Sequence, residues 1–490
     1  MQSTASFVSP SRRDWLLLAL LVLLGAGLRI YGLERQSLFL DELWSWNITR
    51  FGFAETMDGA RGDVHPPLYF ILLFLTQRHL GDSELLLRLP SAILGVIAVV
   101  LIFAVGKRLY TTKEALIAAA LTAVSWTPIY FSQEARGYSL LMCSALWCTY
   151  HFIPLMDGVR DERVWRWTDA AGYVIAALVC AYTHYFGLLW VTLQGGLLLG
   201  LMVVSRRVSI RGLGACLVLA LGYLPWVPAM FTQFHRGPKH LTRPTLVAIP
   251  NFLAYSLGGV ALTTVVVILL VVLTAQTLRR EGKTALRPGV ATSFLLYWAF
   301  APFLLSFIQS WIASPVLGDR NLLVSAPAIY LLVARLVARI PMRVDMRVPS
   351  AAAGVVLLVG HLIFVQRYYT TDLKTQFRGA VDLVVAGDKD LKDSMILGYC
   401  YGTYCFDYYL AKHKPTKTIA AIAGRKADIP AVVNLVESTN PRFIWYVSGH
   451  RKPEREFVEA LNTSFRLVRH DALLEADVRL YENERRRPAD

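Results

Sequence analysis

Residues 88–110 read RLPSAILGVIAVVLIFAVGKRLY, with no charge between Arg88 and the pair Lys107-Arg108. A helix rises ~1.5 Å per residue, so ~20 apolar residues cross the ~30 Å hydrocarbon core of a bilayer. This run therefore predicts a membrane-spanning helix, and its basic end points to the cytoplasm. Outward along the chain the pattern recurs at 15–33, 113–131, 137–155, 169–184, 186–204, 212–230, 257–278, 289–310, 321–340 and 350–367.

The composition agrees with a bilayer as solvent. The 490 residues are 55% hydrophobic and 17% charged, against about 45–50% and about 25% in a soluble domain. With a mean hydropathy of +0.44, this excludes a disordered chain, a coiled coil or an ordinary cytosolic enzyme. The net charge of +15 could suit nucleic acid, but that partner calls for a basic soluble face. Here much of the excess lies in short loops between apolar runs, so no nucleic-acid partner is expected.

Those basic residues occupy alternate connections: Arg12-Arg13, Lys107-Arg108-Lys113, Arg160-Arg163-Arg166, Arg206-Arg207-Arg211, Arg279-Arg280-Lys283-Arg287 and Arg343-Arg347. Placing them all in the cytoplasm gives a cytoplasmic N-terminus, eleven crossings and an extracytoplasmic C-terminus. The expected organisation is a polytopic α-helical membrane domain over 1–370 and a small extracytoplasmic α/β domain over 371–490. The first run, with Arg12-Arg13 ahead of it, reads as an uncleaved anchor. The outer loop 34–87 contains a second apolar stretch, 67–81, that makes only ~22 Å of helix; it reads as interfacial, because a crossing there would invert the loops that follow. Beyond 370, β-rich runs (Met395–Cys400, Thr418–Ile422, Arg442–Ser448, Phe465–Arg469, Val478–Tyr481) alternate with helical stretches at 376–386, 430–438 and 454–461. Cys400 and Cys405 lie there, where an oxidising compartment permits a disulfide.

This topology gathers an unusual polar set on the outer side: Asp41-Glu42 between Leu40 and Leu43-Trp44; Asp63-Val64-His65-Pro66-Pro67; Ser132-Gln133-Glu134-Ala135-Arg136-Gly137-Tyr138; Tyr182-Thr183-His184-Tyr185; Lys239, His240 and Arg243; and Asp319-Arg320. Charges at helix ends are often no more than solvated boundaries, and Tyr and Trp there form the interfacial belt. Apolar neighbours make the Asp41-Glu42 pair harder to read that way. Adjacent helical residues point about 100° apart, so the two carboxylates cannot address one atom: one acts on substrate while the other binds a second group or anchors the loop. Pro66-Pro67 sets the entry of the short helix and presents His65 at its start.

In order and spacing these motifs resemble the membrane-embedded GT-C glycosyltransferases, and more closely the bacterial branch related to protein mannosyltransferases and the lipid A aminoarabinose transferase (glycosyltransferase family 39). The similarity covers the acidic pair, HPPLY, residues 88–110, SQEARGYSL and YTHYFG, then weakens; the family's Arg-Tyr is Arg320-Asn321 here. The resemblance implies transfer of a sugar, with inversion, from a polyprenyl-phosphate carrier to a glycan, lipid or protein acceptor outside the membrane. It matches Asp41 to the general base. Arg136, His184, Arg320, Lys239 and Arg243 would meet the departing phosphate, Glu134 would orient Arg136 or contact the acceptor, and His65, Tyr138, Tyr182 and Tyr185 would line the substrate site. No cofactor is required; the acidic groups could hold a divalent metal, though no ligand set, Asp388-Lys389-Asp390 included, has diagnostic spacing. The alternative class is a lipid or sugar transporter, which usually places ionisable residues near the midplane; here the spans are almost free of charge. A cysteine at Gln77 is expected to react with an impermeant thiol label from the outer side; labelling from the cytoplasm contradicts the topology.

Overall fold

The computed structural model describes residues 9–161, 166–236, 241–281, 287–340, 346–389, 391, 393–413, 419–423, 429–452 and 455–483. Arg163, Lys239, His240, Lys283, Arg343, Asp390 and Thr418 lie outside them. The chain forms two compact units: Met1–Tyr31 with Thr49–Gln366, and Gly32–Ile48 with Arg367–Asp490.

The first unit is helical. Its helices are α1 (Arg12–Ile30), the end of α2 (Leu40–Thr49), α3 (Phe53–Gly62), α4 (Leu68–His79), α5 (Glu84–Leu109), α6 (Thr112–Val124), α7 (Trp126–Ser132), α8 (Tyr138–Asp161), α9 (Trp167–Thr183), α10 (Tyr185–Ser205), α11 (Ile210–Tyr223), α12 (Val227–Arg236), α13 (Ala248–Leu257), α14 (Val260–Glu281), α15 (Val290–Ile312), α16 (Ala326–Ala338) and α17 (Arg347–Gly360). Every segment expected to span is helical. By length and apolarity, though, six helices among the described residues suffice to cross, or seven if α6 and α7 form one broken span. The expected count of eleven therefore exceeds what helix length carries: α9 has 17 residues and α16 has 13, and α1 contains Arg12, Arg13, Asp14 and Arg29. Helix α4, 12 residues long, spans only ~18 Å and falls within the stretch expected to be interfacial.

The run at 113–131 is not the single helix expected. It breaks at Ser125 with a bend of 55° between α6 and α7. Pro128 is the reason: it cannot donate inside a continuous helix but is tolerated in a first turn, where it sits in α7. A break exposes carbonyls in an apolar interior, and Arg29 takes them up. Its guanidinium, fully buried, donates to Ala123 O at 2.9 Å, Thr122 O at 2.8 Å and Gly25 O at 3.0 Å, and its Nε donates to Ser132 Oγ at 3.2 Å. In return Gln133 Nε2 donates to Arg29 O at 3.0 Å and Tyr31 O at 2.8 Å, closing the end of α1. Gly95 of α5 permits this approach, since a Cβ there would lie 2.9 Å from Arg29 Nε and collide with Ser132 Oγ.

The second unit holds a five-stranded sheet of order β2-β1-β3-β5-β4: β1 (Ser394–Tyr399), β2 (Ile419–Ala423), β3 (Phe443–Gly449), β4 (Arg466–Leu473) and β5 (Ala476–Glu482). β2, β1 and β3 are parallel, and β5 joins β3 and β4 antiparallel. Its helices are α2 up to Ile48, α18 (Phe377–Asp388), α19 (Tyr404–His413), α20 (Ile429–Thr439) and α21 (Arg455–Ser464). The strands fall where the β-rich runs lie. Helix α19 was not foreseen: its aromatics (Tyr404, Phe406, Tyr408, Tyr409) carry no strong helical preference, and the helix is buried by its neighbours instead. The Cys400–Cys405 disulfide closes the loop that leads into it.

Arg29→Met orphans the carbonyls at the α6 break, at ~1–3 kcal/mol for each buried group left unsatisfied. Thermal unfolding in detergent is expected to show a clear fall in midpoint, only partly recovered by Arg29→Lys, which cannot reach the same fork of acceptors.

Candidate functional site

Within the first unit, the turn between α3 and α4 and the turn between α7 and α8 converge on the junction of α9 and α10. The α3–α4 turn brings Asp63 and His65. His65 Nδ1 lies 2.7 Å from Asp63 Oδ1, and an Arg136 Nη2 lies 3.1 Å from the same nitrogen. One ring nitrogen cannot donate to a carboxylate and accept from a guanidinium at once; the shorter contact identifies Nδ1–H as donor to Asp63, with the guanidinium alongside. Burial alone would raise the pKa of Asp63, but the His65 hydrogen bond, together with the charges of Arg136 and His65 and the Val64 N–H, outweighs it. Asp63 therefore stays ionised far below the usual carboxylate range.

His184 joins this group from the junction, its ring 4.8 Å from that of His65 and 5.9 Å from that of Tyr138. It is the N-cap of α10: extended in backbone, it accepts the Phe186 N–H at Nδ1 over 3.1 Å. That bond fixes the tautomer, leaving the proton on Nε2. Nε2 is buried without a hydrogen-bond partner among the described residues. Burial, reinforced by the charges of His65 and Arg136, holds the His184 pKa well below the ordinary histidine value, with Asp63 opposing. The result is a neutral imidazole whose N–H donor is unsatisfied beside a guanidinium.

The backbone of Arg136 is held in turn. Tyr69 O–H donates to Ser91 Oγ at 2.8 Å, and Ser91 donates to Arg136 O at 3.2 Å. Gln233 of α12 ties the other side: its Nε2 donates to Ala60 O at 2.7 Å, and its Oε1 accepts from Tyr185. Gly62, Pro67 and Tyr182, beside the cluster in sequence, line a half-open cavity of about 860 Å³ whose other walls include Trp226, Ile71 and Arg236.

The structure thus brings together His65, Tyr138, Arg136 and His184, with Glu134 buried in the turn before Arg136. Arg320 is exposed at the start of the 3₁₀ helix Asp319–Val324, and its charge contributes to lowering the His184 pKa. Arg243 is exposed, 5.8 Å above the Trp311 ring, and Lys239 is outside the described residues. Asp41 and Glu42 belong to the second unit, where Glu42 is buried and Asp41 half-buried. No group of three His, Cys, Asp or Glu that could hold a metal occurs among the described residues; Asp388 instead accepts a bond from Ser394. Sequence reasoning placed Asp63 in the outer polar set without a role and did not single out Ser91 or Gln233. Only Asp63 carried a signal, two residues before a candidate His in a Pro-fixed turn.

Residues 64–230 match the family model described as dolichyl-phosphate-mannose-protein mannosyltransferase. Two crystal structures of ArnT from Cupriavidus metallidurans, in the apo state and bound to undecaprenyl phosphate, align with TM-scores of 0.60 and 0.57. The chain has the GT-C fold. Each alignment covers 96% of this chain and 98% of ArnT at 14% identity. No curated protein matches by sequence. The family match spans HPPLY, residues 88–110, SQEARGYSL and YTHYFG, four of the stretches on which the sequence resemblance to GT-C transferases rests; the acidic pair Asp41-Glu42 lies outside it.

A histidine held neutral when folded takes up a proton on unfolding once the pH falls below its ordinary value, so stability declines as pH drops through about 6.5, by up to ~1.4 kcal/mol per pH unit. Asp63 acts in the same sense, but only as pH falls below the ordinary aspartate range. His184→Asn preserves an N-cap acceptor and is expected to flatten the fall in thermal midpoint between about pH 6.5 and 5; an unchanged slope contradicts a neutral His184.

Proposed function

We propose that this protein is a membrane glycosyltransferase that takes a sugar from a polyprenyl-phosphate carrier and passes it to an extracytoplasmic acceptor, a glycan, lipid or protein, with inversion. The carrying observation is the buried cluster of Arg136 and neutral His184 beside the Asp63–His65 pair. A guanidinium near the His184 Nε2–H, which has no hydrogen-bond partner among the described residues, suits the phosphate of a leaving carrier. The GT-C fold shared with ArnT, one structure of which holds undecaprenyl phosphate, supports a lipid phosphate as that ligand.

In this reading Asp41 accepts the proton of the acceptor hydroxyl as its oxygen attacks the anomeric carbon. The bond from that carbon to the carrier phosphate oxygen breaks, and the electron pair leaves with the phosphate. Arg136 and His184 Nε2–H meet that charge, with Arg320, Arg243 and Lys239 as further cations on the same side of the membrane. His65, Tyr138, Tyr182 and Tyr185 line the substrate site, and Glu134 orients Arg136. The alternating basic loops favour an N-terminus in the cytoplasm and residues beyond about 370 outside the inner membrane.

Purified protein given a polyprenyl-phosphate-linked sugar and a crude envelope acceptor is expected to release free polyprenyl phosphate. Asp41→Asn, folded and inserted as the wild type, should reduce release by at least ~10²-fold. Movement of the intact donor across a vesicle membrane without release contradicts the reading.

A further inference from the structure

Segment Gly32–Ile48 is separated by more than three hundred residues from the chain it packs with, Arg367–Asp490, yet the two form one compact unit. The ties are specific. The Arg35 guanidinium donates to Thr370 O at 2.7 Å and Thr371 O at 3.1 Å. Gln36 donates to Thr371 O at 2.8 Å and accepts the Leu373 N–H at 3.0 Å. Arg378 reaches Glu34 O at 2.6 Å, and the Leu38 N–H donates to the Tyr409 hydroxyl at 2.6 Å. Trp44 and Trp46 meet Tyr404 and Tyr408 of α19 edge-on.

At the centre Lys374 Nζ lies 3.0 Å from Glu42 Oε2, with the Lys374 side chain 3% exposed and the Glu42 side chain 0%. The same oxygen accepts the Phe39 N–H at 3.2 Å, closing the first turn of α2, and the ammonium lies 5.3 Å from the Phe39 ring centroid. A carboxylate so buried and paired is an anchor. Its partner in sequence has the opposite setting: between Asp41 and Thr49 only Asp41, Trp44 and Asn47 are not buried. These recur every third residue and so share one stripe of the helix. A turn of about 100° about the helix axis would exchange the places of Asp41 and Glu42.

We infer that Lys374 is the positioning residue that fixes the rotation of α2 through Glu42, and that the C-terminal sheet unit serves as the mount of the Asp41 helix. This rests on Asp41 being the base. A charged anchor suits the task, because the alternative rotation would bury Asp41 against Lys374 and strip Glu42 of its partners. The disulfide and α19 act in the same mount, through Tyr409 and the two tyrosines under the tryptophans.

The test uses the full-length protein and the release of polyprenyl phosphate from a polyprenyl-phosphate sugar. Lys374→Met is expected to lower kcat on the order of 10²-fold with KM for the donor unchanged, since misplacing a base by about 1 Å has that effect. Lys374→Arg, which keeps the charge and the reach, should recover most of it. Tyr409→Phe, a milder change away from the ion pair, should lower kcat in the same pattern and gives the reading if Lys374→Met does not fold. Wild-type kcat in Lys374→Met overturns the inference, as does a loss confined to KM that Lys374→Arg fails to restore. Substantial turnover by Asp41→Asn removes the base assignment and the inference with it, whereas an inactive Asp41→Asn beside a fully active Lys374→Met removes the inference alone.

Discussion

A guanidinium buried in an apolar helical unit is the constraint from which the site in the first unit follows. Arg29 takes up the carbonyls that the α6 break leaves without helical partners. Each side of the exchange needs the other, because an unpaired charge and unpaired carbonyls are both expensive in a medium without water. The break turns α7 through 55°, and α7 ends in Ser132-Gln133. Both of these bind α1 again, Ser132 through the Arg29 side chain and Gln133 through the carbonyls at the helix end. Three residues further on stands Arg136.

The cluster that results is organised by charge more than by shape. Asp63 is ionised and committed to His65, His184 is neutral because its Nδ1 is used by the backbone, and the Arg136 guanidinium lies 3.1 Å from the His65 ring, its charge acting on both. A cationic imidazole at His184 would repel Arg136. A neutral N–H donor adds a hydrogen bond toward an anion without that repulsion. In the second unit the two members of the acidic pair also differ in setting, Glu42 buried against Lys374 and Asp41 half-buried on the stripe of α2 that it shares with Trp44 and Asn47.

Much of the membrane unit was legible in the sequence because hydropathy and loop charge are local signals. Helices formed at every expected span, and the strands of the sheet unit followed their β-rich runs. What could not be read were features made by partners distant in the chain. Nothing in TAVSWTPIYFS (122–132) states that Arg29 will close its break, although Pro128 marks where one could fall. Asp41-Glu42 stood out as a pair, but which carboxylate is buried depends on Lys374, 332 residues away. His184 and Arg136 were found through motifs; that His184 is neutral needed its bond to Phe186. Asp63 went unassigned because its effect appears only once His65 and the charge of Arg136 are brought to it by the fold.

The central claim is that this cluster holds the phosphate of a polyprenyl carrier. Native mass spectrometry of the purified protein with undecaprenyl phosphate measures this without turnover. A one-to-one complex is expected in the wild type, and Arg136→Ala should lose it at the same lipid concentration while keeping its fold. Equal retention of undecaprenyl phosphate by Arg136→Ala would contradict it.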